Sequence, residues 1–318
     1  MDITLLVCTH NQASLLEKCL TSLAALRLPS GMSSEILVVD NSSSDGTPHV
    51  VSTFADLRPH LDVRLLKEQR QGVAFARKLG LLEARGEWVA FVDDDCRLEN
   101  DWLEEMRYFS RKHPHAGAFG GKNALEWERP PSGLALAYGD SLARQDWGDA
   151  EERMPDTGKR CPCGAGLVLR KAAVCSSGYL EQGRLTGRHP RTLGAGEDTE
   201  VQLMIRNAGW ELWYAPRLRV RHFIPAHRTS PEYLRRLHRG FGLAEARLRL
   251  LGGRLEPTAA NHAAILSEAR AELRSVLARF WLGFVRYKNE RPTWLIRLSF
   301  ALGFLRGALR MRMTGHVE

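Results

Sequence analysis

A chain of 318 residues that is 44% hydrophobic and 26% charged can bury a sizeable core, which excludes a disordered or collagen-like protein and suits one large domain or one with an appendage. The net charge of +8 is unevenly spread: residues 231–318 carry 16 Lys and Arg against 7 acids, while residues 1–230 carry 29 against 30. Such asymmetry points to an anionic partner surface for the C-terminal part, either membrane or nucleic acid. Cys8, Cys19, Cys96, Cys161, Cys163 and Cys175 are scattered, and no basic-then-apolar leader opens the sequence, so free thiols in a reducing cytoplasm are expected.

In chain order, apolar β-rich runs alternate with helix-period stretches, the pattern of βαβ units and a mostly parallel sheet. Strands are predicted at Ile3 to Thr9, Glu35 to Asp40, Val63 to Lys67, Trp88 to Asp93 and Ala116 to Gly120, with helices at Ala13 to Leu26, Thr47 to Leu57, Gly72 to Glu83 and Asp101 to Lys112. From Glu126 to Lys159 the sequence is irregular and predicts loops and a short helix over a site. Residues 161–170 form a Gly-rich turn into an apolar run, and residues 179–196 read as a mobile loop. Gly196-Glu197-Asp198-Thr199-Glu200 then opens a helix, where acidic residues also suit the dipole. Glu211 to Ile224 reads as two extended pieces broken at Pro216, and beyond Pro231 the chain reads as helical.

The strongest chemical signal is Asp93-Asp94-Asp95, three carboxylates ending an apolar run. Unpaired carboxylates are costly away from water, so a cation must compensate them, a divalent metal carrying phosphates being one candidate. Alone, the run also fits a solvated acidic turn. Ligands of open α/β sheets gather outside the carboxyl ends of strands, however, and there Thr9-His10-Asn11 and Asp40-Asn41 would emerge beside it. Cys161-Pro162-Cys163 is too tight for zinc and reads as structural.

Leu6-Val7-Cys8-Thr9-His10-Asn11, Val38 through Thr47, the Gly72 to Asp95 stretch, Gly164-Ala165-Gly166 and Gly196-Glu197-Asp198 occur in an order that resembles the family 2 glycosyltransferases of GT-A fold, over about the first 240 residues. The resemblance implies a Rossmann-like α/β catalytic domain over 1–230, followed by a basic helical region over 231–318. It also implies a sugar transferred from a nucleotide-sugar donor, most simply a UDP-sugar, to a glycan or lipid-linked acceptor, with inversion. Position by position, Thr9 and Asn11 would line the nucleotide pocket and Asp40 would meet the base. Asp93 and Asp94 would meet nucleoside and ribose, and Asp95 would ligate manganese or magnesium, with His222 as a second ligand. Arg77 would face the diphosphate, Asp198 would be the catalytic base and Glu197 the second candidate. His10 and Lys78 depart from the Tyr and Asn common in relatives. Processive synthases of the family usually carry a Gln-x-x-Arg-Trp motif and several membrane spans; neither is found here, so transfer of one or a few sugars is expected.

Between Pro292 and Met313, Trp294, Leu298, Leu302, Leu305 and Leu309 make one helical stripe and Ile296, Phe300 and Phe304 a second, among arginines. Peripheral attachment to the inner face of an anionic membrane, packing against the catalytic domain, and pairing with a second copy all remain open, the Gly303/Gly307 spacing suiting helix contact. No zinc finger or RNP-like strand supports nucleic-acid binding. A sugar-nucleotide-binding subunit without catalysis, or a nucleotidyltransferase, would share the same converging strand ends.

Overall fold

The computed structural model describes residues 1–189, 192–286 and 291–313. Its first part alternates β1 (Ile3–Thr9), α1 (Ala13–Ala24), β2 (Ser34–Asp40), α2 (Thr47–Asp56), β3 (Asp62–Lys67), α3 (Val73–Glu83) and β4 (Trp88–Asp93). β1 pairs in parallel with β2 and β4, and β2 with β3. The runs are apolar throughout because both faces of these strands are covered. Alternate residues divide between two cores: Leu5, Val7, Val38 and Val92 pack on one side, Leu6, Leu37, Val39 and Phe91 on the other.

The chain continues through β5 (Cys96–Leu98), α4 (Trp102–Lys112), β6 (Ala116–Trp127), α5 (Gly133–Ala137), β7 (Glu152–Arg153), β8 (Val168–Arg170), α6 (Lys171–Ser176), α7 (Tyr179–Gln182), β9 (Arg188–His189), β10 (Thr192–Leu193), α8 (Glu197–Asn207) and β11 (Glu211–Ile224). The large sheet runs β3-β2-β1-β4-β8-β6-β11-β5, with β7 on β11. Short β8 is antiparallel to both β4 and β6, which makes the sheet mixed but mostly parallel.

Three expectations are corrected. The strand expected to stop at Gly120 runs on to Trp127, because Gly120-Gly121 is a place of close approach and not a stop: a Cβ on Gly121 would collide with the Leu218 carbonyl. Glu211–Ile224 is one strand, with Pro216 accommodated where its register on β6 shifts between Tyr214 and Arg219. Within 179–196, read as a mobile loop, residues 190–191 lie outside the described residues; among the others, Tyr179 is buried in α7, and β9 pairs with β10.

After β11 come α9 (Pro231–Gly252), α10 (Ala259–Arg286) and α11 (Arg291–Met313). Helix α9 joins the main body through a shared cluster in which Leu234 and Leu237 meet Leu142, Ile224 and Ile296. Of the second predicted stripe, Ile296 and Phe304 are buried and Phe300 is half-buried. Gly303 and Gly307 face the α9 backbone at Arg239 and Leu243, and Gly242 of α9 faces the backbone of Phe300. The small-residue spacing therefore serves a seam within the chain, where bare backbones touch. Among the described residues, no helix is long and apolar enough to cross a membrane.

Gly242→Ala drives a methyl group into the Phe300 carbonyl and should cost about 1–3 kcal/mol, lowering the midpoint of thermal unfolding by several degrees. Gly133→Ala, which meets open space, should stay within about 0.5 kcal/mol in the same calorimetric measurement.

Candidate active site

Parallel register carries Thr9, Asp40 and Asp93 to one edge of the sheet: Thr9 lies opposite Asp40, and Cys8 opposite Asp93. Asp94 and Asp95 follow β4 directly. Thr9 Oγ1 donates to Asp94 Oδ2 at 2.7 Å. Burial, reinforced by Asp95, lifts the Asp94 carboxyl to about 8, against the Thr9 hydrogen bond. Asp95 goes the other way. Burial alone would raise it, but His222 and Arg228 hold it well below the usual carboxylate range, with Arg228 Nη1 at 2.6 Å from Oδ2.

Across the cavity, the N-terminus of α8 follows Gly196, whose φ of 93° is left-handed. Glu197 is buried and meets Arg77 Nη1 at 2.9 Å, while Arg77 Nη2 reaches Asp93 Oδ1 at 3.0 Å. The guanidinium also lies 4.7 Å from the centre of the Phe91 ring. Burial raises Glu197 to about 7 despite Arg77. Burial alone would lower the Arg77 pKa, yet Asp93 and Glu197 raise it beyond its ordinary value. Asp198 is half-buried; its Oδ1 accepts the Thr199 N–H at 2.8 Å. A Cβ on Gly164 would come within 2.6 Å of Asp198 Oδ2, so the Gly-rich turn is what leaves this oxygen room. That turn is fixed to the sheet by Gly166 N donating to Phe91 O at 2.9 Å. Glu200, fully buried, accepts the Arg184 and Leu185 N–H groups and pairs with Arg247 of α9, locking the start of α8 in place.

A cavity of about 600 Å³ brings together Thr9, Arg77, Asp93, Asp94, Asp95, Glu197, Asp198 and His222. Asn11 and Asp40 are not among its lining residues. Asn11, with φ of 53°, accepts the Ser44 N–H at 2.7 Å, and Asp40 Oδ1 accepts the Ser43 N–H at 2.9 Å, so both shape the turn after β2. His10 contacts Asn41 O at 2.7 Å, and Lys78 lies apart, donating to Gly183 O at 2.9 Å. Sequence reading missed Arg228, on the turn six residues after His222, and the wall formed by Trp147, Leu237 and Phe241. None of them stands in a motif; only tertiary packing brings them to the site.

The residues fit a hard divalent cation. Ligand atoms of Asp95, Cys96 and His222 lie within 4.8 Å of one another. His222 is 3% exposed; its Nε2 stands 3.2 Å from Asp95 Oδ1 but off line, so neither ring nitrogen has a hydrogen-bond partner. A buried orphan imidazole beside a carboxylate is a donor set awaiting an acceptor. Burial raises the Cys96 thiol well above its ordinary value, while Asp95 and His222 offer the oxygen and nitrogen that suit such a cation.

Residues 4–175 match the family described as Glycosyl transferase family 2. The succinoglycan biosynthesis protein ExoM of Rhizobium meliloti is 27% identical over 259 residues, 78% of this chain and 75% of ExoM. The glycosyltransferase AglE of Haloferax volcanii is 32% identical over 102 residues, 32% of this chain and 33% of AglE; the chain thus spans only a third of that relative. Among solved structures, the mannosyltransferase PcManGT from Pyrobaculum calidifontis, in complex with GDP-Man and Mn2+, superposes with a TM-score of 0.59 at 20% identity, covering 99% of this chain and 87% of that one. S. aureus TarS 1-349 in complex with UDP gives 0.51 at 17% identity over 99% and 91%. These two share the fold. The family match spans more than half of the sequence, relatives such as AglE are named glycosyltransferases, and the sheet carries GT-A architecture: the chain belongs to glycosyl transferase family 2.

Proposed function

We propose that the protein moves a sugar from a nucleotide donor, a UDP-sugar in the simplest reading, to an acceptor hydroxyl by a cation-assisted single displacement that inverts the anomeric centre. The observation that carries this reading is one cavity with Asp93, Asp94, Asp95 and His222 on one wall and Asp198 on the other, joined by the Arg77 bridge. Fold neighbours complexed with GDP-Man and UDP support a nucleotide donor without choosing its base.

In this reading Asp93, Asp94 and Thr9 meet the nucleoside and ribose. Asn11 and Asp40 act at one remove, by fixing the turn that borders it. A divalent cation at Asp95 and His222, manganese or magnesium, would supply charge neutralisation on the departing diphosphate. Arg77 adds a fixed positive charge beside that path, so no general acid is needed. The acceptor oxygen forms a bond to the anomeric carbon as the bond to the diphosphate oxygen breaks. Its proton passes to Asp198, whose Oδ2 has open space because position 164 is glycine. Glu197 is tied to Arg77 and serves better as a positioning residue.

Residues 1–230 would bear the chemistry, and residues 231–318 would complete the acceptor wall through Leu237 and Phe241. Relatives named for succinoglycan and teichuronic acid biosynthesis support an envelope or extracellular glycan, or its lipid-linked precursor, as acceptor. Six unpaired thiols suit the cytoplasmic side, with peripheral attachment to the membrane.

A donor screen read by cation-dependent release of nucleoside diphosphate should find a substrate; release of pyrophosphate would identify a nucleotidyltransferase, and release of neither a binding subunit. Asp198→Asn should slow transfer by about 10²–10⁴-fold while nucleotide affinity, measured by calorimetry, stays within severalfold. Near-normal turnover would remove Asp198 as the base. Asp95→Ala should abolish the manganese dependence of UDP binding, and a titration unchanged from the parent would remove Asp95 as a ligand.

A further inference from the structure

Helix α11 spends only part of its circumference on the body of the protein. Ile296, Ala301, Phe304 and Ala308 are buried against α9 and its neighbours. Turned away from them, Leu295, Leu302 and Leu309 are 38%, 48% and 41% exposed, and Leu298 and Leu305 are half-buried. These five leucines recur at alternating intervals of three and four residues, which places them in one stripe along the helix. Arg306 is exposed at the edge of that stripe. From Arg291 to Met313 there are five arginines and no acidic residue.

Leu295, Leu302 and Leu309, exposed along one side of the helix, mark a contact surface, and the charge pattern selects its occupant. Pairing with a second copy would set this helix against itself, arginine against arginine, with no acid on either strand of the pair to relieve the repulsion. A bilayer interface containing anionic lipid supplies both needs, an apolar layer for the leucines and phosphates for the guanidinium groups. We infer that the outward face of α11 seats the enzyme on an anionic membrane surface, lying in the headgroup plane. This deepens the peripheral location proposed above and does not rest on the identity of the base or the donor.

Removing α11 would strip the cover from α9, so the test uses surface substitutions in the full chain. The parent protein should sediment with phosphatidylglycerol-containing vesicles, less at high salt and little with pure phosphatidylcholine vesicles. Leu302→Glu with Leu309→Glu should cut vesicle partitioning by about tenfold or more, and Arg306→Glu should weaken the preference for the anionic lipid. Circular dichroism and the solution rate of nucleotide release should match the parent in both variants, which separates a failure of this inference from a failure of the catalytic reading. Parent-like sedimentation of the double leucine variant would overturn the proposal. So would a dimer of the parent in analytical ultracentrifugation that the same substitutions dissociate, since a second copy would then own the stripe.

Discussion

The site is organised by one guanidinium. Arg77, 5% exposed, bridges Asp93 at the end of β4 to Glu197 at the start of α8. A charge so deeply buried is tolerable only with partners, and the buried Glu197 carboxylate in turn needs the guanidinium beside it, while Asp93 keeps part of its surface open to solvent. Two walls that come from distant parts of the chain are thereby held at a fixed separation by a single side chain. The Asp95 corner follows the same rule with different partners, His222 and Arg228. Compensation of acids at the sheet edge thus sets the geometry in which a donor can be held.

Much of this is legible in the amino-acid sequence. The strand at Trp88 to Asp93 has the expected bounds, because an apolar run closed by acids has one sensible placement in a doubly covered sheet. The acidic start of α8 was equally plain, with glycine before it and a helix-period apolar face after it. Local signals failed where a residue was chosen for a distant neighbour. Gly120-Gly121 and Pro216 both resembled strand breakers, yet Gly121 lies against the Ala215 and Leu218 carbonyls, on either side of Pro216, where the register between β6 and β11 shifts. Arg228 was invisible for the same reason: its partner Asp95 lies 133 residues earlier in the chain. Asn11 and Asp40, which the motif suggests for the nucleotide pocket, also hydrogen-bond within the turn after β2.

The C-terminal helices are not a passive extension of this arrangement. Helix α9 lends Leu237 and Phe241 to the cavity wall, and its Arg247 reaches the buried Glu200 of α8. The basic character of residues 231–318 is therefore combined with an apolar core shared with the sheet, seen in the cluster of Leu142, Ile224, Leu234, Leu237 and Ile296. Charge asymmetry along the sequence and mechanical continuity in space coexist in one segment.

The glycine seam between α9 and α11 has a mechanical corollary. Where backbone rests on backbone, no side chain can rotate to absorb a displacement, and close-packed interiors transmit what they cannot absorb. Helix α9 presents glycine to α11 and Leu237 and Phe241 to the cavity. A tilt imposed on α11 would have no soft side chain to spend itself on at this seam and would be handed on to α9, and with it to Leu237 and Phe241 at the cavity wall.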